Sequence, residues 1–334
     1  MKTTPDMPEF SFVIPLYHTG DGLHALLLAF RQLAIDESWE LVLVDDGSTD
    51  CTFDKARQLT RHFPAPVTLV ELARNYGEHA AVLEGCRRAS GKFIVTLDDD
   101  LQNPIDEAVR LLQHLRQSAA EVVYARYSAK RHSPLRNLGS RLVNHCATLL
   151  LGKPHDLYLS SFRAMRRELV ERIITYCGPY PYIDGLILGA TRRISTLEVR
   201  HEARTHGRSG YTWRGLIRLS LSLLFDFSIM PLRLASILGA ALCLTGGVAL
   251  IMVLLEMLTQ GARQPGWGSL MAALAIFSGA QLLMLGIIGE YVGRAFLTVS
   301  GKPQSIVRTQ IQRRQAEPVA AAKVTHASAL SQCA

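Results

Sequence analysis

Phe93-Ile94-Val95-Thr96-Leu97-Asp98-Asp99-Asp100-Leu101-Gln102-Asn103-Pro104 is the stretch that decides the fold. Its first five residues are apolar or β-branched and suit a short buried strand. Three consecutive carboxylates follow, then a proline ahead of the helical pattern Ile105–Gln117. Two other strand-like runs end in the same polar manner. Ser11–Tyr17 closes on Pro15-Leu16-Tyr17-His18, and Leu41–Val44 leads into Asp45-Asp46-Gly47-Ser48. With Val67–Leu72 and Glu121–Ala125 there are five such runs, and the intervals hold helical patterns at Leu23–Leu33 and Thr52–His62. Alternating β and α segments predict an α/β domain with a mostly parallel sheet covered by helices. Sheets of this kind bind ligands beyond the carboxyl ends of their strands, where all three polar signatures fall.

Three adjacent carboxylates resist joint ionisation unless a positive charge offsets them. Oxygen ligands from Asp98, Asp100 and Gln102 suit a hard cation, Mg²⁺ or Mn²⁺, that also carries substrate phosphates. The competing reading is a helix N-terminus, with Asp106 and Glu107 complementing the helix dipole. Recurrence of the polar signature at two other strand ends favours the metal. No GxGxxG turn follows the first strand and no GxxxxGK[ST] motif is present, so dinucleotide-binding and P-loop readings lose their support.

Outward from this domain the composition changes. The chain has 334 residues, a net charge of +7 and 48% hydrophobic residues, but charges vanish from Leu234 to Leu255 and again from Gly266 to Gly289. Each run matches the roughly 20 residues that cross a bilayer, and neither shows the one-sided periodicity of a surface helix. The connector Met257 to Pro265 carries Arg263 alone, whereas Arg214, Arg218 and Arg233 precede the first run. Arg294, Lys302, Arg308, Arg313 and Arg314 follow the second. This asymmetry predicts a multi-pass protein with the N-terminal α/β domain and both termini cytoplasmic. Just before the first span, Trp213, Leu216, Ile217, Leu221, Leu224 and Phe225 recur at helical spacing. Two readings stand: a helix lying in the membrane interface, or one packed on the soluble domain. Gly286, Gly289 and Gly293 offer close-packing positions for a homo-oligomer, a dimer or tetramer. Six cysteines without CxxC or metal-ligand spacing read as reduced thiols. The basic charge sits beside membrane signatures and lacks interleaved aromatics, which argues against nucleic acid.

The set Val13-Ile14-Pro15-Leu16-Tyr17, Val44-Asp45-Asp46-Gly47-Ser48-Thr49-Asp50, Arg74-Asn75-Tyr76-Gly77 and Asp98 to Pro104 resembles the family 2 glycosyltransferases of the GT-A fold. More narrowly, the chain is similar to the polyprenyl-phosphate glycosyltransferases. The likeness runs from about Phe10 to Arg308, including the Gly289-Glu290-Tyr291-Val292-Gly293-Arg294 exit of the second span. It implies a Rossmann-like GT-A domain over 1–210, with a juxtamembrane acceptor-binding helix at about 131–150. An interfacial helix over 211–231, membrane helices over 232–258 and 268–293, and a cytoplasmic tail over 294–334 complete the organisation.

By the same resemblance Pro15, Tyr17, Asp45 and Asp46 hold the nucleotide, Asp98 and Asp99 lie near its ribose and diphosphate, and Asp100 and Gln102 bind Mg²⁺ or Mn²⁺. Arg204, Arg208 and Ser209 match a loop near the donor phosphates, with Gly210 where the family places lysine. Arg126, Arg131, Arg136, Arg141 and Asn144 form the acceptor side, where guanidinium forks suit a lipid phosphate. Arg163 matches a position beside the active site. Some members carry an aspartate where this chain has Ser161, and Asp156 is the nearby carboxylate. At His18-Thr19-Gly20-Asp21 the chain departs from the family's Asn and acidic residues.

The implied activity is inverting transfer of a sugar from a nucleotide-sugar, a uridine diphosphate sugar in the commoner case, to undecaprenyl phosphate at the bacterial inner membrane. The lipid-linked product would serve envelope glycan or lipid A modification. Glucose and an aminoarabinose are joint leads for the sugar; the alternatives are a guanosine diphosphate mannose donor or a non-catalytic nucleotide-binding scaffold. A processive synthase is disfavoured because no Gln-x-x-Arg-Trp motif is present.

Overall fold

The computed structural model describes residues 7–127, 157–200, 230–260, 267–301 and 303–313. Strands β1 (Phe10–Leu16), β2 (Trp39–Asp45), β3 (Val67–Leu72), β4 (Phe93–Thr96) and β5 (Val122–Tyr127) fall on the five runs read from the sequence. Three more strands join them: β6 (Arg163–Arg166), β7 (Ile194–Val199) and β8 (Val307–Arg313). They make one sheet of order β7-β5-β6-β4-β1-β2-β3-β8. β3, β2, β1 and β4 are parallel neighbours, while β6 runs antiparallel to both β4 and β5. The chain builds outward from β1 to β3 and then returns to lay β4 on the other side of β1. That reversal opens a crevice between the carboxyl ends of β1 and β4.

Alternation along the strands feeds two cores. Phe10, Phe12, Ile14 and Leu16 of β1 face one side, where they meet α1 (Gly22–Arg31), α2 (Thr52–Leu59) and α4 (Ile105–Gln117). Phe12, Phe30, Trp39 and Phe63 pack there edge to face or tilted, at centroid distances of 5.2–6.2 Å. Val13 of β1, with Val42 and Val44 of β2, faces the other side and packs on α3 (Glu78–Arg88), α5 (Arg167–Ile173) and α6 (Ile183–Ala190). Gly85 lets α3 lie close on the sheet: a Cβ there would come within 2.4 Å of Val13 Cγ1. Cys86 is sealed in this layer, where burial pushes its thiol up to about 12. Cys51, Cys86 and Cys177 are free thiols.

Two long helices follow, α7 (Met230–Gln260) and α8 (Trp267–Val299), both extending past the expected spans. Met230–Val248 and Ile276–Val299 are each long and apolar enough to cross a membrane, with mean hydropathy 1.5. Their apolar windows are only 6% and 0% buried, the opposite of what a soluble core helix shows. The two helices touch where Gly239 meets Met284 and Gly246 meets Phe277, so they run antiparallel with glycines at the contact. Gly286, Gly289 and Gly293 face open space.

β8 falls inside the stretch read from sequence as tail. It pairs antiparallel with β3 from Val307↔Leu72 to Arg313↔Val67, and Ala73 N–H donates to Ile306 O at 2.8 Å. Gln304, two residues past the Lys302 position, accepts from Arg87 at 2.8 Å and donates to Tyr176 O and Gly178 O at 2.9 and 2.7 Å. The segment after α8 is therefore part of the eight-stranded sheet.

A candidate active site at the switch point

The end of β2 is a finished structure. Asp45 is buried and accepts Ser48 N–H at 3.1 Å and the Ser48 hydroxyl at 2.5 Å. Asp46, also buried, accepts Tyr76 N–H and Gly77 N–H, one on each oxygen, both at 2.8 Å. Burial raises both carboxyls above their ordinary range, and these donors pull them back. Gly47 follows at φ +66, and a Cβ on it would lie 2.3 Å from the backbone carbon of Arg74. Glycine is required there both by the backbone angle and by the close approach. The β2 turn and the loop from Arg74 to Gly77 are thereby locked together at the edge of the crevice.

The end of β1 is tied to the same turn. His18 adopts φ 51, its N–H donates to Ser48 Oγ at 3.1 Å, and its Nε2 accepts Thr49 N–H at 3.1 Å. Tyr17, at the end of β1, stacks on this imidazole at 4.2 Å and is 49% exposed. His18, where the sequence departs from the family pattern, is thus an exposed brace between the β1 and β2 ends.

Across the crevice, the three aspartates after β4 are held by different partners. Asp98 accepts the Ser161 hydroxyl at 2.8 Å, Asp99 accepts the Thr19 hydroxyl, and Asp100 accepts Gln102 N–H at 3.1 Å. Leu101, at φ 56, turns the chain, and buried Asn103 anchors the turn by accepting from Tyr127 at 3.0 Å. Burial holds Asp98 above the ordinary carboxylate range; the charges of Asp100 and Asp99 act in the same direction, against Ser161 and Arg163. Ser161 thus occupies the family's aspartate position as a donor to Asp98.

Glu78, first residue of α3, keeps solvent-accessible surface but sits in the crowded cleft. Burial first and the Asp98 charge next push its carboxyl up to about 7. It adds a fourth carboxylate to the site, which no spacing in the sequence marks. Beside it, burial lowers His79 to about 4, and its Nδ1 is buried without a partner. Its ring meets Tyr182 edge to face at 5.0 Å.

Arg163 lies beneath the acidic turn, 1% exposed, in an ion pair with Asp184. Its Nε donates to Thr96 Oγ1 at 3.4 Å, and Tyr124 donates to Asp184 at 3.0 Å. The pair raises the guanidinium pKa further against its burial, so Arg163 stays charged as a positioning residue under β4. Arg126 is exposed on β5, and Pro15 is partly buried in β1. Arg131, Arg136, Arg141, Asn144, Asp156, Arg204, Arg208 and Ser209 lie outside the described residues. Among the described residues no three carboxylate, imidazole or thiolate groups converge as a metal cage. Asp100 and Gln102 nonetheless share one turn and offer oxygen donors only, a partial set that fits a hard cation completed by phosphate oxygens and water.

The family model for glycosyl transferase family 2 matches residues 11–174. An undecaprenyl-phosphate 4-deoxy-4-formamido-L-arabinose transferase of Serratia proteamaculans is 33% identical over 92% of this chain and 95% of its own. The transferase of the same name from Yersinia pestis is 32% identical over 95% of this chain and 98% of its own. A solved glucosyl-3-phosphoglycerate synthase from Mycobacterium tuberculosis, in complex with Mn²⁺, UDP-glucose and phosphoglyceric acid, aligns with TM-score 0.49 at 20% identity. That alignment covers 66% of this chain and 79% of the other. Identity at this level along nearly the whole length, with the GT-A sheet and its acidic switch-point turn in place, makes this chain a glycosyltransferase that belongs to family 2, among its polyprenyl-phosphate transferases.

Proposed function

We propose that the protein moves a sugar from a uridine diphosphate donor to undecaprenyl phosphate at the cytoplasmic face of the bacterial inner membrane, with inversion at the anomeric carbon. The acidic turn from Asp98 to Asp100, facing Tyr17 and Asp45 across the switch point, is the observation that carries this reading. The names of the full-length relatives favour 4-deoxy-4-formamido-L-arabinose over glucose as the sugar.

In this mechanism Tyr17 offers its exposed face to the nucleobase, and Asp45 and Asp46 hold the turns that shape the pocket. A phosphate oxygen of the acceptor forms the new bond to the anomeric carbon as the bond to the diphosphate breaks, and the nucleoside diphosphate leaves on the opposite face. A phosphate monoester with second pKa near 6 is largely dianionic at neutral pH and needs no general base. Ser161 in place of an aspartate is compatible with that chemistry. Asp100 and Gln102 would hold Mg²⁺ or Mn²⁺, whose contribution is charge neutralisation on the leaving diphosphate. Arg204, Arg208 and Ser209 are proposed on the donor side, and Arg126, Arg131, Arg136, Arg141 and Asn144 on the acceptor phosphate. Asp98 and Asp99 flank the diphosphate, with Arg163 maintaining the strand beneath them.

The return of the chain from α8 supports a lipid acceptor. β8 begins against Leu72, at the carboxyl end of β3, so the helical hairpin enters the domain at the catalytic edge. A bilayer around α7 and α8 then lies on the side where the acceptor phosphate is needed. A donor panel of UDP-4-deoxy-4-formamido-arabinose, UDP-glucose and GDP-mannose, offered with undecaprenyl phosphate to the purified full chain, tests the reading. The formamido sugar is expected to transfer fastest; transfer from GDP-mannose alone would overturn the donor assignment.

A further inference from the structure

At the end of the sheet away from the catalytic edge, three guanidinium groups converge around a single carboxylate. Arg57 and Arg61 lie at the C-terminal end of α2, and Arg313 ends β8 opposite Val67, the first residue of β3. With Asp54 and Gln58 they line an open cavity of about 170 Å³. Part of the cluster has a local explanation: cations suit a helix C-terminus, and Arg313 Nη2 donates to Arg57 O at 2.8 Å. That leaves Arg313 Nη1, which is buried and has no acceptor. A buried donor without an acceptor is unfavourable, so the fold leaves a place for one. Asp54 is the single carboxylate lining the cavity, and among the described residues none of these arginines forms an ion pair with it. Burial and the charges of Arg61 and Arg57 all press on the Arg313 guanidinium.

We propose that Arg57, Arg61 and Arg313 form a second anion site, distinct from the donor cleft, that takes a phosphate group. A phosphate oxygen would accept from Arg313 Nη1, and its charge would offset the repulsion among the three guanidiniums; the planar fork of arginine suits that geometry. The site lies a full strand length from the catalytic edge, about 20 Å for six or seven residues, so one ligand cannot span both. Because Arg313 terminates the strand that links α8 to β3, occupancy would brace the membrane-connected edge of the sheet.

The test uses the full chain in neutral phosphatidylcholine nanodiscs with EDTA, titrated with inorganic phosphate by calorimetry. Wild type is expected to show saturable binding, and the exposed double substitution Arg57→Gln/Arg61→Gln to weaken it at least tenfold while leaving UDP binding and the melting temperature unchanged. Discs containing phosphatidylglycerol identify the source of the phosphate. Unchanged affinity assigns a soluble ligand, and phosphate binding weakened in wild type alone assigns a lipid headgroup. Absence of saturable phosphate binding, or equal binding by the double variant, would overturn the proposal. So would binding that emerges only with Glu317→Gln, since the cavity would then be a dock for the chain's own carboxylate.

Discussion

Two acidic strand ends border the crevice, and they differ in the donors and the like charges that surround each carboxylate. At the end of β2, Asp45 and Asp46 spend their oxygens on donors within the fold: the Ser48 amide and hydroxyl, and the Tyr76 and Gly77 amides. At the end of β4, Asp98, Asp99 and Asp100 stand in sequence, and Glu78 adds a fourth carboxylate to the same cleft. Asp98 and Glu78 raise each other's cost of ionisation, with Arg163 below as the nearby offset. The first pair sits among donors that join two turns, whereas the second takes its donors from Ser161, Thr19 and Gln102, with Glu78 crowded beside them. The second is an excess of negative charge that a cation and its bound diphosphate would resolve. Adjacent aspartates look alike in a sequence; the fold shows that the β2 pair ties two turns together while the β4 run shares its cleft with Glu78.

The largest expected effect breaks the comparison at β4. Asp100→Ala should lower transfer about 10²–10³-fold, the scale on which a lost electrostatic contact to a developing charge acts. The melting temperature should stay near that of wild type, because few buried contacts are lost. On the β2 side the effects reverse in kind. Gly47→Ala forces a Cβ into Arg74 at a left-handed backbone angle and should destabilise by about 2–4 kcal/mol. Asp46→Ala strands two amides and should cost about 2–3 kcal/mol. Both are read by denaturant unfolding, with activity falling only as the folded fraction does. If Asp46→Ala abolished transfer while stability held, the division of labour drawn here would be wrong.

His79 sharpens the comparison through pH. Its folded pKa, about 4, lies below the unfolded value near 6.5, so the folded state disfavours the extra proton. The neutral ring's stability is present above pH 6.5 and is lost as pH falls toward 4, by at most on the order of 3 kcal/mol. His79→Gln should flatten that part of the stability profile. Glu78 runs the other way: its raised pKa means stability is lost as pH rises from 4.5 through about 7, a loss that Glu78→Gln should remove. The smallest effect is Ser161→Ala, which deletes one donor to Asp98 and should reduce kcat about 3- to 10-fold.

Much of this was visible before the fold. The strands β1 to β4 are apolar runs bounded by turn residues, and their polar ends needed only the rule that α/β sheets bind ligands at carboxyl edges. β8 was not visible, because VRTQIQR has two apolar residues in seven and forms a strand by pairing with an existing edge. The cluster of Arg163, Tyr124 and Asp184 draws on three separate elements, so no local pattern announces it. His18 looked like a departure from family pattern, and its role appears only when Thr49 and Ser48 are brought beside it. Glu78 likewise joins the site through the packing of α3 against β1. Composition marked the two long apolar helices, since bilayer thickness sets a length that charge-free runs either meet or do not.

In the proposed reaction the β4 carboxylates act through a divalent cation in transfer to a lipid phosphate. The most direct measurement follows radiolabelled sugar from the nucleotide donor into the lipid phase, using purified full-length protein and undecaprenyl phosphate. Label should enter the lipid with Mg²⁺ or Mn²⁺, stop with EDTA, and fall at least 100-fold with Asp100→Ala. Transfer that persists in EDTA, or that Asp100→Ala leaves intact, would contradict it.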